Sequence, residues 1–216
     1  MQRPKIIYED KWILVVDKPP GIITAPFSPK DNFSLLQLLN KESPCTLYPC
    51  HRLDKETSGL VIFAKDKETQ KKIMDLFRKK RIKKKYIGVV HGWIDKKRGK
   101  IENFLFDGFG YKLSITHYRV MIRRPEYSVL EIEPVTGRKN QIRIHFKQIG
   151  HPILGERKYA LARNYELKAK RLLLHALELE FPHPENGKIL KLSSSIPEEI
   201  KVFISDSKGG GGDEAI

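Results

Sequence analysis

The sequence predicts an α+β fold, and three observations carry the prediction. Several apolar runs of strand length recur along the chain. Only a few segments place apolar residues at helical spacing. Strands and helices are interspersed without the regular alternation of a doubly wound sheet. With 216 residues, the chain fits one large domain or two small ones and is long enough to bury a substantial core. Hydrophobic residues make up 40% and both signs of charge are present, which excludes a disordered chain.

Trp12-Ile13-Leu14-Val15-Val16 reads as the first strand, closed by the turn sequence Asp17-Lys18-Pro19-Pro20-Gly21. Ser34 to Leu39 carries apolar residues at helical spacing and predicts a short helix. The polar stretch His51-Arg52-Leu53-Asp54-Lys55-Glu56-Thr57-Ser58-Gly59 then runs into Leu60-Val61-Ile62-Phe63-Ala64, a buried strand. Asp66 is placed to cap a following helix whose apolar face is Ile73, Leu76 and Phe77. Tyr86 to Val90 reads as a strand ended by His91-Gly92. Tyr118 to Ile122 and Ser128 to Ile132 read as a strand pair joined through Arg123-Arg124-Pro125-Glu126. Asn140 is expected to cap a helix from Gln141 to Ile149, with Ile142, Phe146 and Ile149 buried and Gly150 ending it. Leu172 to Phe181 and Lys188 to Ser193 predict a last hairpin turning at Pro184-Glu185-Asn186-Gly187. Gly209 to Gly212 and the residues after them cannot pack, so residues 1–206 are expected to form the folded domain and 207–216 a loose tail.

Charge narrows the partners. Lys and Arg number 41 against 26 Asp and Glu, a formal net charge of +15. Such an excess raises the local concentration of polyanions, with nucleic acid the commonest partner for so basic a chain and a membrane surface the main competitor. No stretch approaches the ~20 apolar residues of a membrane span, and the N-terminus has no apolar signal-peptide core. A cytoplasmic protein is expected. Cys45 and Cys50 then read as reduced thiols, since structural disulfides are rare there and no second ligand pair stands at zinc spacing. His51, His145, His151 and His175 fall in separate segments without a ligand pattern and read as hydrogen-bonded structural residues. Asp107-Gly108-Phe109-Gly110 lacks the remaining spacing of a dinucleotide loop, and there is no Walker A lysine motif.

The chemistry centres on Asp54, a carboxylate on a turn beside Arg52 and next to a strand end, where a rigid element fixes its direction. The string His51 to Leu60 resembles the active-site motif of the RluA-type RNA pseudouridine synthases. Four further segments match that family in order. They are Val16-Asp17-Lys18-Pro19-Pro20-Gly21; Lys84-Lys85-Tyr86-Ile87-Gly88-Val89-Val90-His91-Gly92; Thr136 to His145 with Ile149 to Gly155; and Leu174-His175-Ala176.

The resemblance implies a pseudouridine synthase fold: a mixed, mainly antiparallel sheet flanked by helices, with a basic cleft. It implies an enzyme that isomerises uridine to pseudouridine in ribosomal or transfer RNA, with Asp54 central, Tyr86 stacking on the base and Arg143 as the opposing cation. An unperturbed Asp titrates near ~3.9, and an arginine in ion-pair reach lowers a carboxylate's pKa, so Arg143 is expected to offset moderate burial. Arg52 is implied to enter the space left by the extruded nucleotide, and His51, Thr57, Arg138 and Gln141 to bind substrate. The run Arg78 to Lys85, with Lys84 and Lys85 nearest Tyr86, is expected to hold flanking phosphates. No cofactor and no metal are implied. No obligate protein partner is implied either, and a monomer is expected. Asn140 departs from the family's usual histidine, which leaves open any contact specific to an imidazole there. The chain begins almost directly with catalytic-domain sequence, so that domain is expected to bind RNA largely alone. The rivals are a basic RNA hydrolase, unsupported by a second acid or metal cluster, and an inactive RNA-binding or ribosome-assembly factor with the same fold.

Overall fold

A computed structural model describes residues 4–28, 33–159 and 167–205; the expected tail, 207–216, lies outside the described residues. The strands are β1 (Lys5–Glu9), β2 (Ile13–Lys18), β3 (Tyr48–Pro49), β4 (Ser58–Ala64), β5 (Lys83–His91), β6 (Arg98–Phe106), β7 (Tyr111–Arg123), β8 (Tyr127–Pro134), β9 (Leu174–Pro182) and β10 (Ile189–Ser193). The helices are α1 (Leu35–Glu42), α2 (Lys67–Arg78), α3 (Gln141–Gln148) and α4 (Glu198–Ser205).

All ten strands join one sheet in the order β1-β2-β4-β9-β5-β8-β7-β6, with β10 on β9 and β3 on β4. Every pairing is antiparallel except β4 with β9, where Ser58 and Gly59 run parallel to His175 and Ala176. This mixed, mainly antiparallel α+β sheet agrees with the expected fold. The single parallel seam matters for the site. Gly59, at φ +115°, brings its backbone so near β9 that a Cβ there would lie 2.3 Å from the Ala176 carbonyl oxygen. Only glycine fits, and it locks the end of the Asp54 loop against the centre of the sheet.

Both faces of the sheet are covered. Leu14, Val16, Val61 and Phe63 pack with Leu35 of α1, while Ile13, Val15, Leu60 and Ile62 pack with Ile73 of α2. Ser34 caps α1 by accepting from the Gln37 amide, and Asp66 caps α2 by accepting from the Thr69 amide, each satisfying an otherwise orphaned N–H.

Several expectations need correction. β2 runs on through Lys18 rather than closing at Val16, because that lysine is buried and tied to the loops around it. Asn140 is left-handed (φ 55°) and its side chain makes no capping bond. The adjacent turn is closed instead by Gln141, whose Oε1 accepts from the Arg138 amide and the Thr136 hydroxyl. Ile149 is exposed, since the helix ends before it and Gly150 turns the chain away. β1, β6, most of β7 and α4 extend the predicted set, with Asp107-Gly108-Phe109-Gly110 forming the turn between β6 and β7.

Candidate active site

A cleft of about 750 Å³ opens between two walls. One wall is the loop leading into β4, with Arg52, Asp54 and Thr57; the other is the segment from Pro134 to Arg143 that enters α3. Tyr86 and Lys84 of β5 and Leu174 of β9 also border it.

Asp54 sits on a turn closed by the Thr57 amide, which donates to the Asp54 carbonyl (3.1 Å). Lys18 anchors that turn from below. Its Nζ donates to the carbonyls of Pro19 (2.9 Å), Ile22 (2.8 Å) and Lys55 (3.1 Å), matching the three protons of an ammonium. Burial pushes the Lys18 pKa down to about 7, opposed by the carboxylates of Glu56, Asp54 and Asp17.

Arg143 reaches Asp54 from α3, with Nη1 3.8 Å from Oδ2. Its stronger partner is Glu156: Nε donates to Oε2 (2.6 Å) and Nη2 to Oε1 (2.7 Å). Burial alone would raise the Glu156 pKa, but Arg143 and the amides of Lys158 and Tyr159 hold it below the usual range. Gly155 permits this placement: at φ +78°, a Cβ there would lie 2.0 Å from the Arg171 carbonyl oxygen. Nη1 of Arg143 also donates to Asn140 Oδ1 (3.0 Å), and Asn140 Nδ2 donates to the Tyr159 hydroxyl (2.8 Å).

The electrostatic outcome differs from expectation. Asp54 is raised above the ordinary carboxylate value because burial outweighs the attraction of Arg143, Arg52 and Lys18, with Glu156 adding to the rise. The Tyr86 phenol is pushed up as well, by burial and then by the Asp54 charge, so it stays protonated at neutral pH.

The remaining predicted residues divide. Arg52 is exposed at the cleft, its guanidinium carbon 3.3 Å from the centre of the Phe27 ring. Lys84 borders the cleft, and burial pushes its pKa down to about 8. Arg138 borders it too, with its Nε buried and unpartnered. Thr57 is buried against the cleft with its hydroxyl unpartnered. His51 and Gln141 border the cleft but are committed to the fold. His51 Nε2 accepts from the Ile62 amide (3.0 Å), and burial followed by the Lys84 charge pushes its pKa down to about 3. Gln141 Nε2 donates to the Ile115 carbonyl and the Thr116 hydroxyl.

Lys85 is not brought into the cleft. Strand alternation turns it to the opposite face, where Glu131 (3.5 Å), Glu178 (3.8 Å) and Glu133 (4.0 Å) surround its Nζ. His145, His151 and His175 are hydrogen-bonded to Thr116, the His91 carbonyl, and Ser58 with Ser194, respectively. Among the described residues, no group of three or more His, Cys, Asp or Glu is gathered to hold a metal ion. Lys18, Phe27, Glu156 and Tyr159 were not singled out from the sequence. For Glu156 a signal existed, since a buried arginine requires a carboxylate and Glu156 follows a matched Gly155.

The model of the RNA pseudouridylate synthase family matches residues 12–148. The chain belongs to this family. The synthase is 32% identical over 201 residues to the dual-specificity RNA pseudouridine synthase RluA of Haemophilus influenzae, covering 88% of this chain and 91% of that one. It is 34% identical over 222 residues to the ribosomal large subunit pseudouridine synthase D of Borreliella burgdorferi, covering 93% and 68%. Among solved structures, human RNA pseudouridylate synthase domain containing 4 superposes with a TM-score of 0.74 at 24% identity, covering 90% of this chain and 89% of that one. Human RNA pseudouridylate synthase domain containing 1 gives 0.73 at 21%, covering 98% and 97%. The synthase is therefore an isomerase that converts uridine to pseudouridine in RNA.

Proposed function

We propose that Asp54 is the catalytic carboxylate of this synthase, acting on a uridine flipped out of a structured ribosomal or transfer RNA. The observation that carries the reading is the position of Asp54 at the cleft, 3.8 Å from an arginine that Glu156 grips through two hydrogen bonds. The reaction breaks the bond from C1′ to N1, turns the base, and forms a bond from C1′ to C5. The C5 proton leaves, and N1 gains one, so no atom is lost overall. The ionised carboxylate serves whether it attacks C1′ or first removes a ribose proton. Burial raises the Asp54 pKa above the ordinary carboxylate value, and Arg143, Arg52 and Lys18 favour the ionised form against it.

Tyr86 supplies a protonated aromatic face for the base, and base–aromatic stacking contributes roughly 1–3 kcal/mol. Flipping costs a few kcal/mol. Arg52, stacked on Phe27 at the cleft, is a planar cation suited to the space the nucleotide leaves. Lys84 and Arg138 are the cations that meet flanking phosphates. The relatives named for the large ribosomal subunit support ribosomal RNA as a substrate class. The enzyme acts as a monomer in the cytoplasm, with no protein partner required.

The test uses RNA tritiated at uridine C5. The wild-type protein releases tritium and Asp54→Asn does not. Equal release by both would remove Asp54 from the chemistry. Tight RNA binding by wild type without release would point to an assembly factor instead.

A further inference from the structure

Phe27 is an aromatic ring that the core of the fold does not use. It is 55% exposed and belongs to none of the apolar clusters of the described residues. Its ring meets a cation from each wall of the cleft. The guanidinium carbon of Arg52 lies 3.3 Å from the ring centre, and Lys139 Nζ lies 5.9 Å from it. An approach in the ring plane would stop farther out, at the ring's own edge, so Arg52 lies over the face. The backbone delivers the ring to this place. The Gly21 amide donates to the Lys55 carbonyl (2.8 Å), and Thr24 Oγ1 accepts from the Leu53 amide (3.1 Å) and donates to its carbonyl (3.2 Å). Residues 21–24 are thus stitched to 53–55, the loop that carries Asp54. Phe27 leaves that seam three residues beyond Thr24.

The two arginines nearest Asp54 are restrained in different ways. Arg143 is held by hydrogen bonds to Glu156 and Asn140. Among the described residues, no hydrogen bond or ion pair holds the Arg52 guanidinium, and the Phe27 ring is its close contact. A long side chain loses rotamer freedom when it enters a fixed site, and that loss weakens whatever contact it makes there. A ring face reduces the loss in advance. Unlike a carboxylate, it fixes the guanidinium while leaving the N–H donors available to another partner.

We propose that Phe27 is a positioning residue for Arg52. Its ring holds the guanidinium preordered at the cleft, so that Arg52 enters the space left by the flipped nucleotide at a lower ordering cost. This rests on the reading that Arg52 fills that space. The test is a double-mutant cycle on the single-turnover rate of tritium release, with large-subunit ribosomal RNA transcribed with tritium at uridine C5. Phe27→Leu keeps an apolar side chain but removes the π face, and it should slow release about two- to fivefold, the worth of an exposed cation–π contact. Phe27→Tyr should keep the wild-type rate. Arg52→Ala should be slow by itself, and adding Phe27→Leu to it should slow it no further. In the protein without RNA, the Arg52 Nε–H proton should show an upfield ring-current shift by NMR that Phe27→Leu removes. A wild-type or faster rate for Phe27→Leu, an equal loss in both Arg52 backgrounds, or an unshifted Arg52 signal would each overturn the proposal. Arg52→Ala at the wild-type rate would instead overturn the reading of Arg52 on which it rests.

Discussion

Arg143 gives its two shortest hydrogen bonds to Glu156, at 2.6 and 2.7 Å, and stands 3.8 Å from Asp54 with its remaining terminal nitrogen. The guanidinium is thus fixed by Glu156 and presented to Asp54, the carboxylate proposed to react. Full neutralisation of Asp54 by a direct fork would bury its reactivity in a salt bridge. The longer contact keeps a cation beside Asp54 without a direct fork to its oxygens.

Glu156 should therefore matter to both stability and rate. Removing one partner of a buried ion pair costs roughly 3–5 kcal/mol, and urea unfolding at pH 7 should show a loss of that order for Glu156→Ala. Glu156→Gln should fold better, yet lower the single-turnover rate about 100-fold through misplacement of Arg143, with a smaller change in RNA affinity. The pH dependence follows from the lowered Glu156 pKa. Its stabilisation is present above the unfolded value near 4.5 and is lost as pH falls through the folded value. Glu156→Gln should flatten the stability curve in that acid window.

Asp54 should behave in the opposite sense. Its folded pKa is raised, so its contribution favours the fold below the unfolded value of 3.8 and is lost as pH rises through the folded value. The ionised form that the proposed reaction needs is thus the one burial disfavours. Asp54→Asn should abolish tritium release while raising the melting temperature at pH 7, by roughly 2–4 °C for each kcal/mol relieved. The gap should close as the pH falls below the range in which Asp54 ionises. Differential scanning calorimetry at several pH values checks this; an unchanged or lower melting temperature at pH 7 would contradict it.

The sheet's centre was legible because β4, β5 and β9 carry apolar runs with the periodicity of buried strands. β6 and β7 were harder to read for an identifiable reason. Along β6 only Ile101 and Leu105 are buried, four residues apart, which does not give the alternation of a half-buried strand. In β7 the inward positions include the polar Ser114 and Thr116, and Thr116 is satisfied by the distant Gln141 and His145. Of the residues that line the cleft, Arg52, Asp54, Lys84, Tyr86, Arg138 and Arg143 were legible from their motifs. What escaped were relationships across the fold: Glu156 claiming Arg143, Lys18 anchoring the Asp54 loop, and Lys85 turning away from Lys84. Each depends on register or on a tertiary neighbour that linear spacing does not encode.

Asn140 has taken on a structural task without capping its helix. It accepts from Arg143 and donates to Tyr159, so it restrains the terminal nitrogen that faces Asp54. Asn140→Ala should lower the single-turnover rate about tenfold, with RNA affinity nearly unchanged, because the side chain acts through Arg143 rather than on RNA. Tyr159→Phe, which removes only the outer bond of this chain, should have a smaller effect in the same direction. A loss confined to RNA affinity in either variant would show direct contact with substrate instead.

The contrast between Lys84 and Lys85 gives the sharpest test of the RNA path. Lys84 borders the cleft, whereas Lys85 is surrounded by Glu131, Glu133 and Glu178 on the other face. Each phosphate neutralised on a single strand contributes about −0.7 to the slope of log affinity against log salt. Lys84→Ala should therefore make that slope shallower by about 0.7, and Lys85→Ala should leave it unchanged. The pH dependence adds a second check. Burial holds the Lys84 pKa down to about 8, so in the free protein its ammonium is present below that value and discharges above it. Wild-type RNA affinity should weaken as pH rises beyond this point, shifted upward by the bound phosphate, while Lys84→Ala should show no such limb. If Lys85→Ala produced the larger change in slope, the basic run would grip RNA on the sheet face opposite Asp54.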